Sequence, residues 1–323
     1  MREFKLAQPK TIDEATYLLS IGKEKYSLVA GGTDILDLLK NEIIEPEVVV
    51  DLGLIPGLSL IKKEREGVRI GAMTRISQLV EDEMIKNDYP VLYEAARSVG
   101  TPQLRNLGTV GGNLCQRPRC WYFRSPELKC RKKGGSKCYA IQGRNKYHAL
   151  LGSGICHIVY PSDLAPALIS LEAEAIINSP GKEKSIPLEE FYLLPQKSLH
   201  RENILGPDEV LKEIRIPQKK GKQRSLYVKF KERGAWDFAV VSVALAAVIS
   251  NEVFEELRIV LGGVAPIPWR LKNTEEKLKG RKVDEELAKQ VVREALMDAR
   301  PLKENGYKKE LAEVLLYRAL LSL

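Results

Sequence analysis

Five cysteines fall within 42 positions of a 323-residue chain, at Cys115, Cys120, Cys130, Cys138 and Cys156, with intervals C-x4-C-x9-C-x7-C-x17-C. The chain starts MREFKLAQPKTIDEA, without the apolar core of a secretory leader, so the expected compartment is the cytoplasm. There, clustered thiols serve as metal ligands more often than as disulfides. Paired CxxC knuckles are absent, and four thiolates on a long loop suit zinc or an iron–sulfur cluster equally well. Unligated buried cysteine is the remaining reading. The three histidines, His148, His157 and His200, have no ligand spacing with one another. A Cys/His nucleophile pair would need a positioned turn that the sequence lacks, which sets a hydrolase aside. Trp121-Tyr122-Phe123 beside Cys120 could shield a cluster from water or plug the loop onto its host.

Two glycine-rich turns are the second chemical signal. Tyr26 to Ala30 reads as a strand running into Gly31-Gly32-Thr33-Asp34, with a helix from Ile35. A strand, a flexible turn and a helix N-terminus together present free N–H groups and a positive dipole end, which suits a diphosphate. The pattern is neither Gly-x-Gly-x-x-Gly nor a P-loop, so nicotinamide and Walker chemistry do not follow from it. A second such stretch, Thr101 to Asn113, contains Asn106, Gly108, Thr109, Gly111, Gly112 and Asn113 and reads as an irregular loop rich in phosphate-binding groups. Two double-glycine turns in one chain suit a dinucleotide held from both sides.

Charge separates the cysteine segment from the rest. The chain carries a net +8, with a pI of about 9.1. Between Gln116 and Tyr147 ten lysines and arginines face Glu127 alone, a net of +9 that leaves the rest of the chain close to neutral. The basicity therefore belongs to one segment, which could balance thiolates and steer an acidic partner. No apolar run approaches the ~20 residues of a membrane span.

The elements that must position these groups read as α+β. Thr11-Ile-Asp-Glu14 fits a capping box opening a helix, and Val48 to Val50 a strand. Gly67 to Gly71 is a strand, Thr74 to Met84 one helix, and Tyr89 to Val99 another ended by Gly100. Leu164 to Leu171 is helical and Ala173 to Ile177 a strand. Ile186 to Phe191 and Pro207 to Ile216 complete this unit. Gln218 to Arg224 is a charged linker. Beyond it lie strands over Ser225 to Lys231, Phe238 to Ile249 and Leu257 to Ala265, then helices over Thr274 to Leu278, Asp284 to Ala299 and Leu311 to Leu323. The units expected are 1–57, 58–218 with an inserted loop 114–157, and 225–323.

The ordered motifs Val29-Ala-Gly-Gly-Thr-Asp34, Pro102-Gln-Leu-Arg-Asn-Leu-Gly-Thr-Val-Gly-Gly-Asn113, Ser162-Asp-Leu-Ala-Pro166 and Leu261-Gly-Gly-Val-Ala-Pro266 span the chain. Together they resemble the FAD-binding medium subunit of the xanthine dehydrogenase (molybdenum hydroxylase) family. The resemblance implies a two-part FAD-binding fold of the CO dehydrogenase medium-subunit type with a C-terminal sheet-and-helices domain. It also implies an electron-transfer role beside a molybdenum-cofactor large subunit and a 2Fe–2S small subunit. Most members join the second and third motifs by a much shorter connection; here 48 residues separate Asn113 from Ser162. A cysteine-bearing insert at this place resembles the β subunit of 4-hydroxybenzoyl-CoA reductase, which adds a 4Fe–4S cluster.

By that likeness Cys120, Cys130, Cys138 and Cys156 are the expected cluster ligands and Cys115 stands near the flavin. Ala30 to Asp34 and Gly108 to Asn113, flanked by Val29, Ile35, Arg105 and Asn106, would hold the FAD diphosphate. Asp163 would meet the ribityl or flavin side and Lys229 the isoalloxazine edge. From the residues alone Asp163 is also a helix cap, and Lys229 an exposed strand residue. The expected external carrier is ferredoxin, with an aldehyde, purine or heterocycle hydroxylase as the alternative to thioester reduction. A colourless zinc protein binding nucleic acid through its basic loop is the rival from another class.

Overall fold

The computed structural model describes residues 1–218, 221 and 223–323; three lysines of the expected linker, Lys219, Lys220 and Lys222, lie outside the described residues. The chain opens with β1 (Lys5–Ala7) and α1 (Ile12–Gly22). Thr11 accepts from the Glu14 N–H at 3.1 Å and caps α1, while the Glu14 carboxylate accepts from the Lys10 N–H at 2.8 Å. The reciprocal bond of the capping box is thus set one residue earlier than the motif places it. With β2 (Tyr26–Val29), α2 (Ile35–Lys40) and β3 (Val48–Asp51), this part forms a parallel sheet of order β1-β3-β2. Val48 to Val50 are buried, as a central parallel strand requires.

The middle of the chain supplies β4 (Ile61–Glu64), β5 (Gly67–Gly71), α3 (Ile76–Glu81), α4 (Glu83–Asp88), α5 (Pro90–Ser98), α6 (Pro102–Leu107), α7 (Val110–Cys115), α8 (Trp121–Arg124), α9 (Leu164–Ser170), β6 (Glu174–Ser179), β7 (Lys182–Pro187) and β8 (Val210–Pro217). Its strands form an antiparallel sheet of order β4-β5-β8-β6-β7. Three expectations change here. The single helix over Thr74 to Met84 is two, because the Asp82 carboxylate accepts from the Ile85 N–H at 2.9 Å and starts α4 afresh. The irregular loop over Thr101 to Asn113 is α6 and α7, each opened by a threonine cap: Thr101 on Leu104 N–H and Thr109 on Gly112 N–H. Pro102 at the first turn of α6 lacks only an N–H that the helix would leave unpaired. Strands β4 and β7 were not expected, since both are charged edge strands without an apolar alternation.

The last part holds β9 (Gln223–Phe230), β10 (Val241–Ser250), β11 (Val253–Gly262), β12 (Trp269–Arg270), α10 (Lys272–Leu278), α11 (Glu285–Ala295) and α12 (Tyr307–Leu321). The sheet is antiparallel, of order β12-β11-β10-β9. β10 is buried on both faces because its side chains alternate between two cores. Ala244 and Ala246 join the core of the middle unit, whereas Val241, Val243, Leu245 and Ala247 pack among residues of α10, α11 and α12. Small residues on one face let α5 and α9 approach the sheet closely. No helix among the described residues is long and apolar enough to cross a membrane.

Candidate functional site

The two glycine turns meet. A Cβ on Gly31 would stand 1.8 Å from the Leu107 carbonyl oxygen, so this residue must be glycine for the turn after β2 to touch the end of α6. Gly32 has φ +74°, the left-handed conformation that turns the chain toward α2. On the other side Gly111 lies against Ala72, and its N–H donates to the Ala72 carbonyl at 2.7 Å. Gly112 faces Ala30. Between these turns opens a cleft of about 310 Å³, lined by Ala30, Gly31, Gly32, Thr33, Asp34, Ile35, Thr109, Gly111, Gly112 and Cys115 among the expected residues. Its walls include the apolar side chains Leu28, Leu38, Ile44, Leu52 and Leu211. The arrangement offers polar backbone at the turns and apolar walls beyond, as a nucleotide pocket needs. Burial pushes the Cys115 thiol at its edge up to about 12.

Gly31→Ala is expected to empty this cleft, since the opposing atom is backbone and cannot swing aside. Flavin absorbance per protein should fall at least tenfold; full flavin content in the variant would count against the assignment.

Other expected flavin residues lie elsewhere. Arg105 turns back to donate to the carbonyls of Arg97 (3.0 Å) and Val99 (2.9 Å), bracing the end of α5. Asn106 lines a separate polar hollow with Arg75 and Gln78. Both are carried off because α6 is a helix, whose side chains fan outward. Val29 ends β2 in register with Asp51, and Gly108 packs near the Thr33 hydroxyl; neither lines the cleft. The Asn113 carboxamide oxygen accepts from Ser162 Oγ at 2.5 Å, joining the second motif to the third. Ser162, not Asp163, caps α9 by accepting from the Ala165 N–H at 3.0 Å. Asp163 and Lys229 are brought together instead as a buried ion pair of 2.8 Å. Tyr227 donates to the same carboxylate at 2.7 Å, and Lys229 also donates to the Ser98 carbonyl at 3.1 Å. Lys229 is thus buried, not an exposed strand residue. A paired carboxylate and ammonium of this kind carry little net charge.

The insert gathers four cysteines and leaves out the fifth. Cys120, Cys130, Cys138 and Cys156 line one small pocket with Tyr122, Phe123, Lys132 and His148, while Cys115 lines the cleft. Turns place them. Cys120 precedes α8, and Cys130 precedes a 3-10 turn over Arg131–Lys133. The Cys138 carbonyl accepts from Ile141, and the Cys156 N–H donates to Ser153. Gly135 must be glycine, as a Cβ there would stand 1.9 Å from the Lys129 carbonyl oxygen. Backbone N–H groups of Phe123 and Tyr122 point at the Cys120 sulfur, and that of Ile158 at Cys156. Burial outweighs them, pushing Cys120 up to about 12 and Cys156 to about 11, and the neighbouring thiols add to both shifts. His148, which no ligand spacing marked, touches a cysteine: its Nε2 lies 3.3 Å from Cys120 Sγ. Among the described residues no group of three or more His, Cys, Asp or Glu is arranged to hold a metal ion. The four thiols therefore face one pocket without closing on a point.

Much of the basic charge in the insert is turned inward. Asp34 receives Arg119 at 2.8 Å, Arg124 at 2.6 Å and the Arg117 N–H at 2.7 Å, and Arg124 also reaches Asp37 at 2.9 Å. Burial holds the Arg119 guanidinium down to about 10, with Asp34 opposing that fall. Glu202, 3% exposed, takes Arg117 at 2.6 Å and Lys132 at 2.5 Å. Sequence reasoning missed Glu202, His148 and the clamping role of Asp34, because each depends on a partner far along the chain.

Residues 2–219 match the family described as the FAD binding domain in molybdopterin dehydrogenase, and residues 225–323 match the CO dehydrogenase flavoprotein C-terminal domain. The chain belongs to this flavoprotein family. The aldehyde oxidoreductase FAD-binding subunit PaoB of Escherichia coli is 38% identical over 291 residues, covering 88% of this chain and 87% of that one. The glyceraldehyde dehydrogenase medium chain of Sulfolobus acidocaldarius is 24% identical, covering 98% and 97%. In structure the chain is similar to carbon monoxide dehydrogenase from Hydrogenophaga pseudoflava, with a TM-score of 0.79, 26% identity, and 99% and 96% covered. The flavoprotein thus has the CO dehydrogenase medium-subunit fold, a mixed architecture of FAD-binding and C-terminal domains. It is an FAD subunit of the xanthine dehydrogenase-type oxidoreductases. The relatives found act, by their names, on aldehydes, carbon monoxide, nicotinate and xanthine. They support the hydroxylase alternative over the thioester-reductase expectation.

Proposed function

We propose that this flavoprotein is the electron-transfer subunit of an aldehyde-oxidising molybdenum-cofactor complex, and that its insert holds a 4Fe–4S cluster on Cys120, Cys130, Cys138 and Cys156. The segregation of the cysteines carries this reading: four share one pocket and the fifth lines the nucleotide cleft. Four thiols on one loop are soft ligands of the kind an iron–sulfur cluster takes. The pocket is narrow, about 10 Å³, so the four side chains must rotate outward to accept such a group. Bound FAD would supply the junction between two-electron and one-electron transfer, and a cluster a one-electron port. The protein contributes the backbone N–H groups of the Gly31-Gly32 turn toward a diphosphate, those of Gly111 and Gly112 being spent on Ala72 and Thr109, and the N–H groups of Tyr122, Phe123 and Ile158 toward sulfur. Such bonds to thiolate tune a cluster's potential.

The aldehyde class rests on the likeness to PaoB and to the glyceraldehyde dehydrogenase medium chain. A molybdenum large subunit and a 2Fe–2S small subunit are the partners, in the cytoplasm, where five unpaired thiols stay reduced. Electrons then flow outward, from large subunit to flavin to an external carrier. The division at residues 57 and 218 belongs to the same reading, with FAD held between the first two units. Anaerobic purification should yield flavin with iron and sulfide in equal amounts. Zinc without sulfide would overturn the cluster.

An acidic carrier such as ferredoxin fits the cations of the insert that remain outward. Lys129, Lys137 and Arg144 are exposed, as is Trp121, whose ring meets His148 edge-on at 5.4 Å. Reversing the three charges to glutamate is expected to slow ferredoxin-coupled turnover by about tenfold at low salt, leaving dye-coupled turnover unchanged. Equal ferredoxin rates in wild type and variant would exclude this face as the port.

A further inference from the structure

Arg119 stands between two cavities. Its Nη1 lies 2.8 Å from Asp34 Oδ1, and Asp34 is the only carboxylate lining the nucleotide cleft among the described residues. Its guanidinium also lies over the Phe238 ring, 5.2 Å from the centroid. Phe238 belongs to a second cavity of about 320 Å³, walled by Arg119 itself with Trp121, Tyr147, Val159 and Pro161. One side chain is thus shared by a cleft that suits a diphosphate and a hollow walled by aromatic rings.

The nucleotide cleft is small for a whole dinucleotide. At about 310 Å³ it sits at the foot of the ~300–1,000 Å³ range of ligand pockets, and FAD joins two ring systems through a diphosphate and a ribityl chain. With the diphosphate at the Gly31-Gly32 turn, one half of the molecule must extend past Asp34. The aromatic hollow lies there, across Arg119, and flat rings pack well against such walls.

Arg119 can turn to a ligand without stranding its partner. Its side chain is 27% exposed, and beside Asp34 it bonds neutral groups, the Arg117 carbonyl and, at 3.1 Å, Gln116 Oε1. Asp34 would keep Arg124 at 2.6 Å and the Arg117 N–H at 2.7 Å. Arg124 pairs with Asp34 and Asp37 but has no place in the lining of the second hollow.

We propose that Arg119 is the cation through which the insert holds the flavin half of FAD, at the crossing from the diphosphate turn to the aromatic hollow. This rests on FAD binding and not on a cluster in the cysteine pocket. The guanidinium offers a fixed charge and planar donors to oxygens near the diphosphate. Reduction adds electrons to a flavin, so a cation beside it also favours the reduced form.

The test compares FAD and ADP binding by the assembled complex freed of flavin, and the flavin midpoint potential after reconstitution. Wild type is set beside Arg119→Gln, Arg119→Lys and Arg124→Gln. ADP probes the diphosphate turn without the flavin half. Arg119→Gln should weaken FAD binding about tenfold or more, leave ADP within about twofold and shift the flavin potential downward. Arg119→Lys keeps the charge and should hold the potential close to wild type. Arg124→Gln takes a cation from the same carboxylate and should leave the FAD-to-ADP ratio and the potential unchanged. Equal losses for FAD and ADP would overturn the proposal, as would the same shift in Arg124→Gln or an unshifted potential in Arg119→Gln. Arg119→Met carries the same expectations if Arg119→Gln does not assemble. A wild-type complex that binds ADP but not FAD would instead refute the flavin site itself.

Discussion

Cys130→Ser is expected to strip iron and sulfide from the protein while leaving its flavin in place. Cys130 is buried at the start of the 3-10 turn over Arg131–Lys133, and its carbonyl accepts from the N–H groups of Lys133 and Gly135. Serine keeps that backbone and nearly the same volume, so the turn survives. Its hydroxyl is a hard, weakly acidic ligand where iron–sulfur chemistry needs a soft thiolate. The flavin cleft has no wall from this turn. Iron should drop to a tenth of wild type or less, with FAD unchanged, by colorimetric iron and sulfide analysis beside flavin absorbance. Cys115→Ser is the matched control and should keep both. Iron retained in Cys130→Ser, or lost in Cys115→Ser, would reassign the ligand set.

Glu202→Gln should produce the largest loss of stability of any single change in the insert or its seat. The carboxylate is buried between Arg117 and Lys132, and Lys132 is itself buried. A neutral amide leaves both cations in a low-dielectric site with no anion. Removing one partner of such a pair costs about 3–5 kcal/mol. In a chain of this size that corresponds to a fall in melting temperature of roughly 4–7 °C. The double variant Glu202→Gln, Lys132→Met should recover part of the loss, because it removes one stranded charge. A change under about 1 kcal/mol in the single variant would mean that solvent already reaches the pair.

What the sequence made legible was chemistry that is local along the chain. Gly32 is required by its own left-handed φ, so its turn reads directly, whereas Gly31 and Gly111 are held to glycine by Leu107 and Ala72, far along the chain, and only their motifs mark them. The cysteine set was separable because Cys115 follows the second glycine turn while the others sit beyond it. The β-branched residues of the apolar run that holds β10 and the apolar stripe of α11 also read correctly. Short helices opened by Thr101 and Thr109 did not, since six residues are too few to carry an apolar period and α7 has two glycines among them. Edge strands β4 and β7 failed for the same lack of pattern. Arg105 and Asn106 sit inside a binding motif by sequence, yet the helical turn of α6 aims them away from the cleft. The partners of Glu202 and His148 lie tens of residues or more away in sequence, and no interval predicts them.

The seat of Asp34 has a consequence for the charge that the nucleotide cleft presents. A carboxylate on the floor of a pocket meant for a diphosphate would repel its own ligand. Here that acid is already claimed by Arg119, Arg124 and the Arg117 backbone, all from the insert. A chain whose insert has not yet docked would present a bare negative charge to an incoming nucleotide. The cysteine segment therefore neutralises Asp34 in the lining of the nucleotide cleft as well as standing beside it.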